Sequence, residues 1–500
     1  MTRSISSKVL FFTIGIFLNS LFIFAQAPDT LWTRTFGGPG YDVARGIALM
    51  EDGGFLVAGT TKWDADKPYS VWVFKVDADG NMLWERNIGR QFFGQWGYSL
   101  KPTLDGGFVV AGSAMNDHGY SDVYIIKLDS EGKGGWGYTF GNDFENTMGY
   151  DVVGTPDSGI FAVGWQTVDK AGSNVYQVKT FHNGQWMFTN IFNWGLHCEA
   201  RAVSRTFDEG YIVTGSVRPG GMDLTVGIFL QKLNMYGLEE GFTLSTWSGD
   251  QYGNSVQQTA DSGYIVAGYH MGSSVPKKEP RVVRYDSKGK ELWMKHYGRE
   301  QAVHNEALHV EELPAGGFIV CGYDGFDMWV MRLDSQGDTL WTKSIGDPIL
   351  QEAATQIVPL PDGGYIVAGE RKIDSQNFDA YIVRLGPEEP IGTDTRNPLP
   401  PPEFVLYQNH PNPFSFETAI SYQLPVPGLV NIVIYNVLGQ AVATLVNEKM
   451  EAGFHTVHWN TGGIAGGVYL YCMRINGRQE IRRMIIHLSL IHISEPTRPY

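Results

Sequence analysis

Gly53-Gly54-Phe55-Leu56-Val57-Ala58-Gly59 is the first of seven similar stretches in this chain of 500 residues. In each, a turn that contains glycine precedes a run of aromatic, aliphatic and small residues that ends in glycine. The glycines before these runs are 47 to 54 residues apart. A period near fifty with strand-type content predicts a radial β-repeat. The other copies are Gly106–Gly112, Gly159–Gly164, Gly210–Gly215, Gly263–Gly268, Gly317–Gly322 and Gly364–Gly369.

Each period predicts four strands. The first is a short run such as Gly97–Leu100, and a tight turn, often Asp-Gly, leads to the repeated stretch as the second strand. For this turn we expect a two-residue hairpin, in which both central residues have positive φ. The third strand alternates in polarity, as in Asp122–Leu128, and the fourth carries Leu340-Trp341 or its equivalents. Four short strands per repeat predict one propeller blade.

The seventh copy stops after its third strand, at Leu385. Asp29–Gly37, which precedes the first copy, matches Asp338–Gly346 almost position for position. We therefore predict an all-β protein with a seven-bladed β-propeller over residues 28–386. In this prediction the N-terminal segment supplies the outer strand of the last blade and closes the ring. The alternative is a stray partial repeat on an open array.

The Trp-bearing repeat unit resembles the blades of quinoprotein-like propellers. This resemblance covers the repeat unit and no cofactor site, so no cofactor is predicted. The chain contains 61 glycines and 13% aromatic residues, as expected for many turns and large cross-strand side chains. Its formal net charge of −15 argues against nucleic acid and against an anionic membrane surface as partners.

The N-terminus has the features of a targeting segment. Arg3 and Lys8 lie beside the apolar run Val9–Phe24, and small residues follow. We interpret residues 1–27 as a signal peptide cleaved after Ala25 or Ala27. The alternative is an uncleaved anchor, but the apolar run is shorter than the roughly 20 residues that a spanning helix needs. No later segment has the length and hydrophobicity of a span.

The composition changes after the repeats. Residues 387–403 are rich in proline, which predicts an extended, semi-rigid linker. A compact β-module follows from residue 404 to residue 487. Its motifs, in order, are Leu406–Phe414, Thr418–Pro425, Val430–Gln440, Val442–Leu445, Gly453–Asn460 and Gly467–Tyr471.

This module resembles the type A C-terminal sorting domain of the type IX (Por) secretion system of Bacteroidetes-type bacteria. The resemblance implies a small β-sandwich that the outer-membrane export machinery recognises. It also implies passage through the periplasm to the outer-membrane surface or the extracellular space. The cargo is then released or attached to surface lipopolysaccharide. Residues 488–500 have no place in this pattern, and we interpret them as the in-frame translation of a sequencing-library adapter.

The sequence predicts no catalytic constellation and no metal ligands. Cys198, Cys321 and Cys472 have no metal-ligand spacing, and Cys321 takes a small-residue position in a predicted strand. His197-Cys198-Glu199 and the pair His304 and Glu306 are short polar clusters. We interpret them as solvated loop residues, because adjacency alone does not define a nucleophile and a base.

One end of the predicted propeller carries the longer, irregular loops, which join the second strand to the third and the fourth to the next first strand. Binding residues concentrate on variable loops that a rigid frame supports. The alternative is that aromatic residues there merely cap the ring. The candidate ligand-binding residues on this face are Trp63, Phe92, Phe93, Trp96, His118 and Tyr120.

Three classes of function are compatible with these features. The first is an exported propeller that binds a glycan or a protein, as in adhesion. The second is a secreted enzyme, a hydrolase or lyase that acts on polysaccharide. The third is a structural protein of a surface layer. Because no catalytic constellation is visible, the sequence favours the first and third classes, although fold does not decide function.

Overall fold

The computed structural model describes residues 26–62, 66–89, 93–168, 172–220, 225–272, 277–297, 305–347, 349–374, 377–388, 405–406, 409, 412, 414–424, 428–450, 453–475 and 478–486. These residues form strands and turns and contain no helix, which confirms the predicted all-β class. The signal peptide, apart from residues 26–27, lies outside the described residues. So do residues 389–403 of the linker and the 488–500 segment, and these interpretations stay predictions.

The repeat region contains strands β1 to β28. The first half comprises β1 (Thr30–Phe36), β2 (Tyr41–Leu49), β3 (Phe55–Lys62), β4 (Ser70–Val76), β5 (Met82–Ile88), β6 (Gln95–Pro102), β7 (Phe108–Met115), β8 (Ser121–Leu128), β9 (Gly135–Phe140), β10 (Thr147–Gly154), β11 (Ile160–Val168), β12 (Gly172–Thr180), β13 (Trp186–Phe192) and β14 (His197–Arg205). The second half comprises β15 (Tyr211–Arg218), β16 (Gly227–Leu233), β17 (Glu239–Ser245), β18 (Asp250–Gln258), β19 (Tyr264–Met271), β20 (Lys278–Tyr285), β21 (Glu291–His296), β22 (Asn305–Glu312), β23 (Phe318–Asp324), β24 (Asp327–Leu333), β25 (Thr339–Ile345), β26 (Gln351–Pro359), β27 (Tyr365–Lys372) and β28 (Phe378–Leu385).

Within each copy, consecutive strands pair in antiparallel fashion. The groups β6–β9, β18–β21 and β22–β25 are separate four-stranded sheets. The groups β10–β13 and β14–β17 are joined by one parallel residue pair between Ser173 and His197. A second parallel pair, Tyr41 with Phe378, joins β2 of the first copy to β28 of the last.

The N-terminal strand belongs to the last copy. β1 pairs with β28 in antiparallel register from Thr30 opposite Leu385 to Phe36 opposite Ala380, which confirms the predicted pairing. The first and last copies also touch through their first strands, because the Ile47 amide donates a hydrogen bond to Gln356 Oε1 at 2.8 Å. Apolar side chains of β2 to β4 and of β26 to β28 share one buried cluster.

The turn before each repeated stretch differs from the expected two-residue hairpin. In the first copy, Met50 N donates to Gly54 O at 2.9 Å and Gly53 N donates to Met50 O at 3.0 Å. Only Gly53 has positive φ in this turn, at 82°. The expectation of two positive-φ residues is therefore wrong here, and the loop is a tight turn followed by one left-handed residue. Ser158, Glu209 and Ser262 take that left-handed position in later copies.

The final glycine of the repeated stretch is explained by a β-bulge. In the first strand of every copy the pairing register slips by one residue, as between Ala44 and Gly46. The slip brings the bulged backbone against the second strand, where a Cβ on Gly59 would collide with the Val43 carbonyl oxygen. The bulged residues are Arg45, Tyr98, Tyr150, Arg201, Asn254, Leu308 and Thr355.

A repeated ion pair ties the third strand to the turn before the second. Lys75 Nζ lies 2.5 Å from Asp52 Oδ2, and Lys127 Nζ lies 3.0 Å from Asp105 Oδ1. The lysine stems are buried while their partners are partly exposed. Buried charges of this kind are found where they are paired. Equivalent pairs are Lys179–Asp157, Lys232–Asp208, Arg284–Asp261 and Arg384–Asp362.

The C-terminal module contains two sheets around one apolar core. One sheet has the order β29-β30-β33 and the other β32-β31-β34-β35, and their buried side chains form a single cluster. This arrangement agrees with the predicted small β-sandwich. Its strands are β29 (Val405–Leu406), β30 (Glu417–Leu424), β31 (Gly428–Asn436), β32 (Ala441–Met450), β33 (Gly453–Asn460), β34 (Gly467–Ile475) and β35 (Arg478–Ile486).

Candidate functional site

Side chains at the bulges of successive copies contact one another. The rings of Tyr98 and Tyr150 have centroids 5.7 Å apart, and the Arg201 guanidinium lies 4.3 Å from the Tyr150 ring centroid. All three side chains remain partly or fully exposed. Together with tyrosines and ion-paired side chains of the first, second and third strands, these residues form what we call the inner cluster. Its members are Arg45, Tyr98, Tyr150, Glu199, Arg201, Tyr252, Tyr269, Lys278, Glu306, Tyr323 and Glu370.

A second group of contacts lies on the fifth and sixth copies. The Tyr252 and Tyr269 rings stack with centroids 4.6 Å apart, and Lys278 Nζ lies 4.6 Å from the Tyr269 ring centroid. Lys278 also pairs with the Glu306 carboxylate, which accepts a hydrogen bond from the Tyr323 hydroxyl at 2.6 Å. Aromatic faces, one ammonium and one carboxylate thus adjoin one another.

A third group of contacts joins the last copy to the first. Arg45 Nη2 lies 2.8 Å from Glu370 Oε2 and donates a hydrogen bond to the Tyr41 hydroxyl at 3.1 Å. Burial lowers the pKa of Arg45, but Glu370 and Tyr41 outweigh burial and hold that pKa above its ordinary value. The inner cluster therefore links copies that are more than 300 residues apart in sequence.

The electrostatics keep the phenols neutral and the carboxylates paired. Burial and the neighbouring Tyr150 raise the pKa of Tyr98 to about 12. Burial and the Glu306 carboxylate raise the pKa values of Tyr269 and Tyr323. At neutral pH these hydroxyls are therefore hydrogen-bond donors and acceptors. The pairs Arg45–Glu370, Lys278–Glu306 and Arg201–Glu199 balance the carboxylates.

One of the residues predicted from the sequence is linked to the inner cluster through two intervening tyrosine rings. Trp96 lies on β6, half-buried, with its ring 5.4 Å from that of Tyr69. Tyr69 in turn packs 5.8 Å from Tyr41, the residue that accepts the hydrogen bond of Arg45. Phe93 is half-buried beside β6. Two further predicted residues, Trp63 and Phe92, lie outside the described residues.

His118 and Tyr120 form a different patch. Their rings lie 5.5 Å and 6.4 Å from Phe144 of the next copy, and Phe144 is 71% exposed. Among the described residues, no ring contact joins this patch to Trp96. The predicted loop-face residues that the structure describes therefore lie in two separate places.

Sequence reasoning missed the carboxylates of the inner cluster. Glu199 and Glu306 were expected to be solvated loop residues, but both lie within strands, and Glu306 is only 8% exposed. The expectation failed because the register of each strand pair, including its bulge, decides on which face these side chains lie. A usable signal was present: when the copies are aligned on their final glycines, Tyr98, Tyr150 and Arg201 occupy one position.

The cysteines play no part in the inner cluster. Cys198, Cys321 and Cys472 are free and buried, and Cys321 packs in the apolar core as expected. The sequence predicted no metal ligands, yet the fold brings His270, Glu279 and His296 within reach of one ion. Within the described residues we find no helical segment with the length and hydrophobicity of a membrane span.

The C-terminal module has a family match. Residues 408–487 match the family described as secretion system C-terminal sorting domain. This match supports the resemblance seen in the sequence. The sorting domain directs export through the type IX secretion system to the cell surface or the extracellular space. No curated protein sequence matches the chain significantly.

Several solved structures are distantly similar. A fungal alcohol oxidase of the AA5 family, in complex with copper, is 11% identical with a TM-score of 0.49, over 93% of this chain and 100% of that one. PorZ, a surface component of the type IX secretion system of Porphyromonas gingivalis, is 10% identical with a TM-score of 0.39, over 90% and 60%. The β-propeller domain of the Trilobed protease from Pyrococcus furiosus is 10% identical with a TM-score of 0.41, over 72% and 97%. No functional conclusion follows from similarities this distant.

Proposed function

We propose that the repeat region is a seven-bladed β-propeller in which β1 completes the last blade. Three observations support closure. β1 pairs with β28, Ile47 is hydrogen-bonded to Gln356, and the first and last copies share an apolar cluster. The bulged first strands would then line the central axis, with the inner cluster around it. We also retain residues 28–386 as one domain and residues 1–27 as a cleaved signal peptide.

We further propose that the exported propeller binds a glycan at the inner cluster. The observation that carries this proposal is the set of partly exposed tyrosines beside paired charges on the bulged first strands and on the second and third strands next to them. Tyrosine offers an apolar face and a polar hydroxyl, which suits the apolar and hydroxyl-bearing faces of a sugar ring. Arginine and carboxylate groups placed beside such faces fix the orientation of a polar ligand.

Binding is better supported than hydrolysis. A glycoside hydrolase needs one carboxylic acid and one free carboxylate beside the scissile bond. Here Glu306 is held by Lys278 and Tyr323, and Glu370 is held by Arg45. The Tyr323 hydroxyl beside the Glu306 carboxylate nevertheless leaves a polysaccharide-cleaving enzyme as the second candidate.

A glycan and polysaccharide array on the purified chain tests both functions, with reducing-end release measured in parallel. We expect retention of at least one glycan without cleavage. Tyr150→Ala and Arg201→Ala should each weaken binding at least tenfold. Tyr236→Ala is the matched control, because Tyr236 is 66% exposed and lies outside the inner cluster. Release of reducing ends would favour the enzyme, and no retained glycan would favour a protein ligand or a structural role.

A further inference from the structure

Three potential metal ligands meet on adjacent strands of the fifth copy, outside the inner cluster. His270 lies on β19 directly opposite Glu279 on β20, and His296 ends β21. One ligand atom from each residue lies within 4.8 Å of the other two. Two imidazoles and one carboxylate are a donor set typical of Zn²⁺.

The distances between the potential ligand atoms are close to those found between the ligands of a bound metal ion. Glu279 Oε2 lies 3.8 Å from His270 Nδ1 and 4.0 Å from His296 Nδ1. Ligand atoms about 2.0 to 2.2 Å from a tetrahedral ion lie roughly 3.4 Å apart. Small side-chain rotations would therefore bring all three atoms into coordination.

The hydrogen bond on the other side of His270 orients its ring. His270 Nε2 lies 2.8 Å from the Ser248 carbonyl oxygen. Since a carbonyl can only accept, Nε2 carries the proton and Nδ1 keeps its lone pair. Nδ1 is buried and has no hydrogen-bond partner among the described residues. Metal-bound histidines commonly donate their other ring N–H to a carbonyl in this way, and a buried acceptor without a partner costs free energy that a metal bond would recover.

Two cations compete with an ion at this place. Arg281 Nη2 lies 3.0 Å from His296 Nε2, and Lys277 Nζ lies 3.6 Å from Glu279 Oε1. The guanidinium of Arg281 also covers the Trp247 ring at 5.0 Å. A hydrogen bond from Arg281 to Nε2 places the ring proton of His296 on Nδ1, the nitrogen that faces Glu279. A metal ion must therefore overcome both the charge of Arg281 and this tautomer.

We propose that His270, Glu279 and His296 bind one divalent transition-metal ion of the Zn²⁺ class, and that Arg281 weakens this binding. Three protein ligands leave a fourth position for water or a small polar ligand. His296 also lines a cavity of about 360 Å³ whose wall includes Asn305. The Asn305 side-chain amide is buried, and no described residue forms a hydrogen bond with it.

Isothermal titration of the chelator-treated full chain with ZnCl₂ tests the site. We expect saturable binding of one ion, weakened at least tenfold by His270→Gln and by His296→Gln. Arg281→Met removes the competing charge at similar volume and should tighten binding several-fold. The matched control is His458→Gln, because within the described part of the chain His458 has one carboxylate partner, Glu417, at 3.2 Å and belongs to no group of three potential ligands. Its affinity should equal that of the unaltered chain.

A second readout separates loss of the site from loss of the fold. Co²⁺ should give the intense visible absorption of a tetrahedral centre, and this band should be absent in His296→Gln, whose side chain is 41% exposed. Circular dichroism of each variant checks folding. Zn²⁺ binding that is undiminished in both histidine variants, or that is absent from the unaltered chain and from Arg281→Met, would overturn the site. Equal affinity in Arg281→Met and the unaltered chain would overturn the role of Arg281.

Discussion

The indole nitrogen of Trp32 donates a hydrogen bond to the carbonyl oxygen of Ala78 at 3.1 Å. Trp136 makes the same bond to His182 in the following copy, at 3.2 Å. Trp32 thus contacts the first copy as an outer-strand tryptophan contacts the copy after its own. In the structure β1 therefore takes the position of the outer strand of the last copy, although it comes first in the chain.

Replacement of Trp32 tests this closing role. Trp32→Ala should lower the free energy of unfolding by about 2 to 4 kcal/mol, because it removes packing against β3 and the bond to the next turn. Trp186→Ala, at a residue that is 60% exposed, should change it by less than about 1 kcal/mol. Urea denaturation measures both values. Equal effects of the two substitutions would mean that Trp32 does not stabilise the contact between the last and the first copy.

The bulge gives a prediction for the repeated glycine. In Gly215→Ala the new methyl group would meet the Glu199 carbonyl oxygen, so stability should fall by about 2 kcal/mol or more. Gly220→Ala is the control, since no atom of the described residues, apart from its chain neighbours, lies within 4 Å of a Cβ there. Thermal unfolding should show a clear drop for the first variant only. An unchanged Gly215→Ala protein would contradict the close approach of the bulged strand.

The ion pairs of the turns predict an acid-sensitive fold. The hydrogen bond from Lys75 lowers the pKa of Asp52 below its ordinary value. Burial raises the pKa of Asp157, but hydrogen bonds from Thr155 and Lys179 outweigh it and lower that pKa too. A carboxylate with a lowered folded pKa stabilises the fold above its unfolded pKa of about 3.9, and this contribution is lost as pH falls through the folded value.

We therefore expect the free energy of unfolding to decline below about pH 4. Asp52→Asn combined with Asp157→Asn should flatten this decline, because two of the titrating groups are gone. Urea denaturation from pH 7 to pH 3 measures the slope. A slope that is the same in the double variant would assign the acid sensitivity to other carboxylates.

The loop-face aromatics can be tested against the inner cluster. Trp96→Ala should weaken glycan binding at least several-fold, because Trp96 supports Tyr69 and Tyr41 beside Arg45. His118→Ala should leave the affinity unchanged if the ligand occupies the inner cluster alone. Titration with a glycan identified on the array gives both values. A ligand footprint on the face of the tight turns would contradict both assignments.

Removal of the sorting domain predicts a change of location. A chain that ends at residue 403 should accumulate in the periplasm, because residues 408–487 carry the export signal. Fractionation and immunoblotting of the native host measure this, with the full chain as reference. Normal surface or medium levels of the shortened chain would show that export does not depend on the module.

The repeats, the strands and the pairing of β1 were predictable because every copy repeats the same local sequence pattern. Alternating side chains specify strands, and the match between Asp29–Gly37 and Asp338–Gly346 identified the missing outer strand. The turn geometry was predicted less well. Asp-Gly is compatible with more than one hairpin, and only the hydrogen bonds of Met50 distinguish them.

The sequence by itself determined the period, the strand content, the β1–β28 partnership and the sorting domain. Only the tertiary structure decided that Glu306 faces Tyr323, that Arg45 meets Glu370, and that His270, Glu279 and His296 converge. The physical reason is the bulge and the register of each strand pair. A slip of one residue reverses the face on which a side chain lies, and contacts between distant copies depend on every register between them.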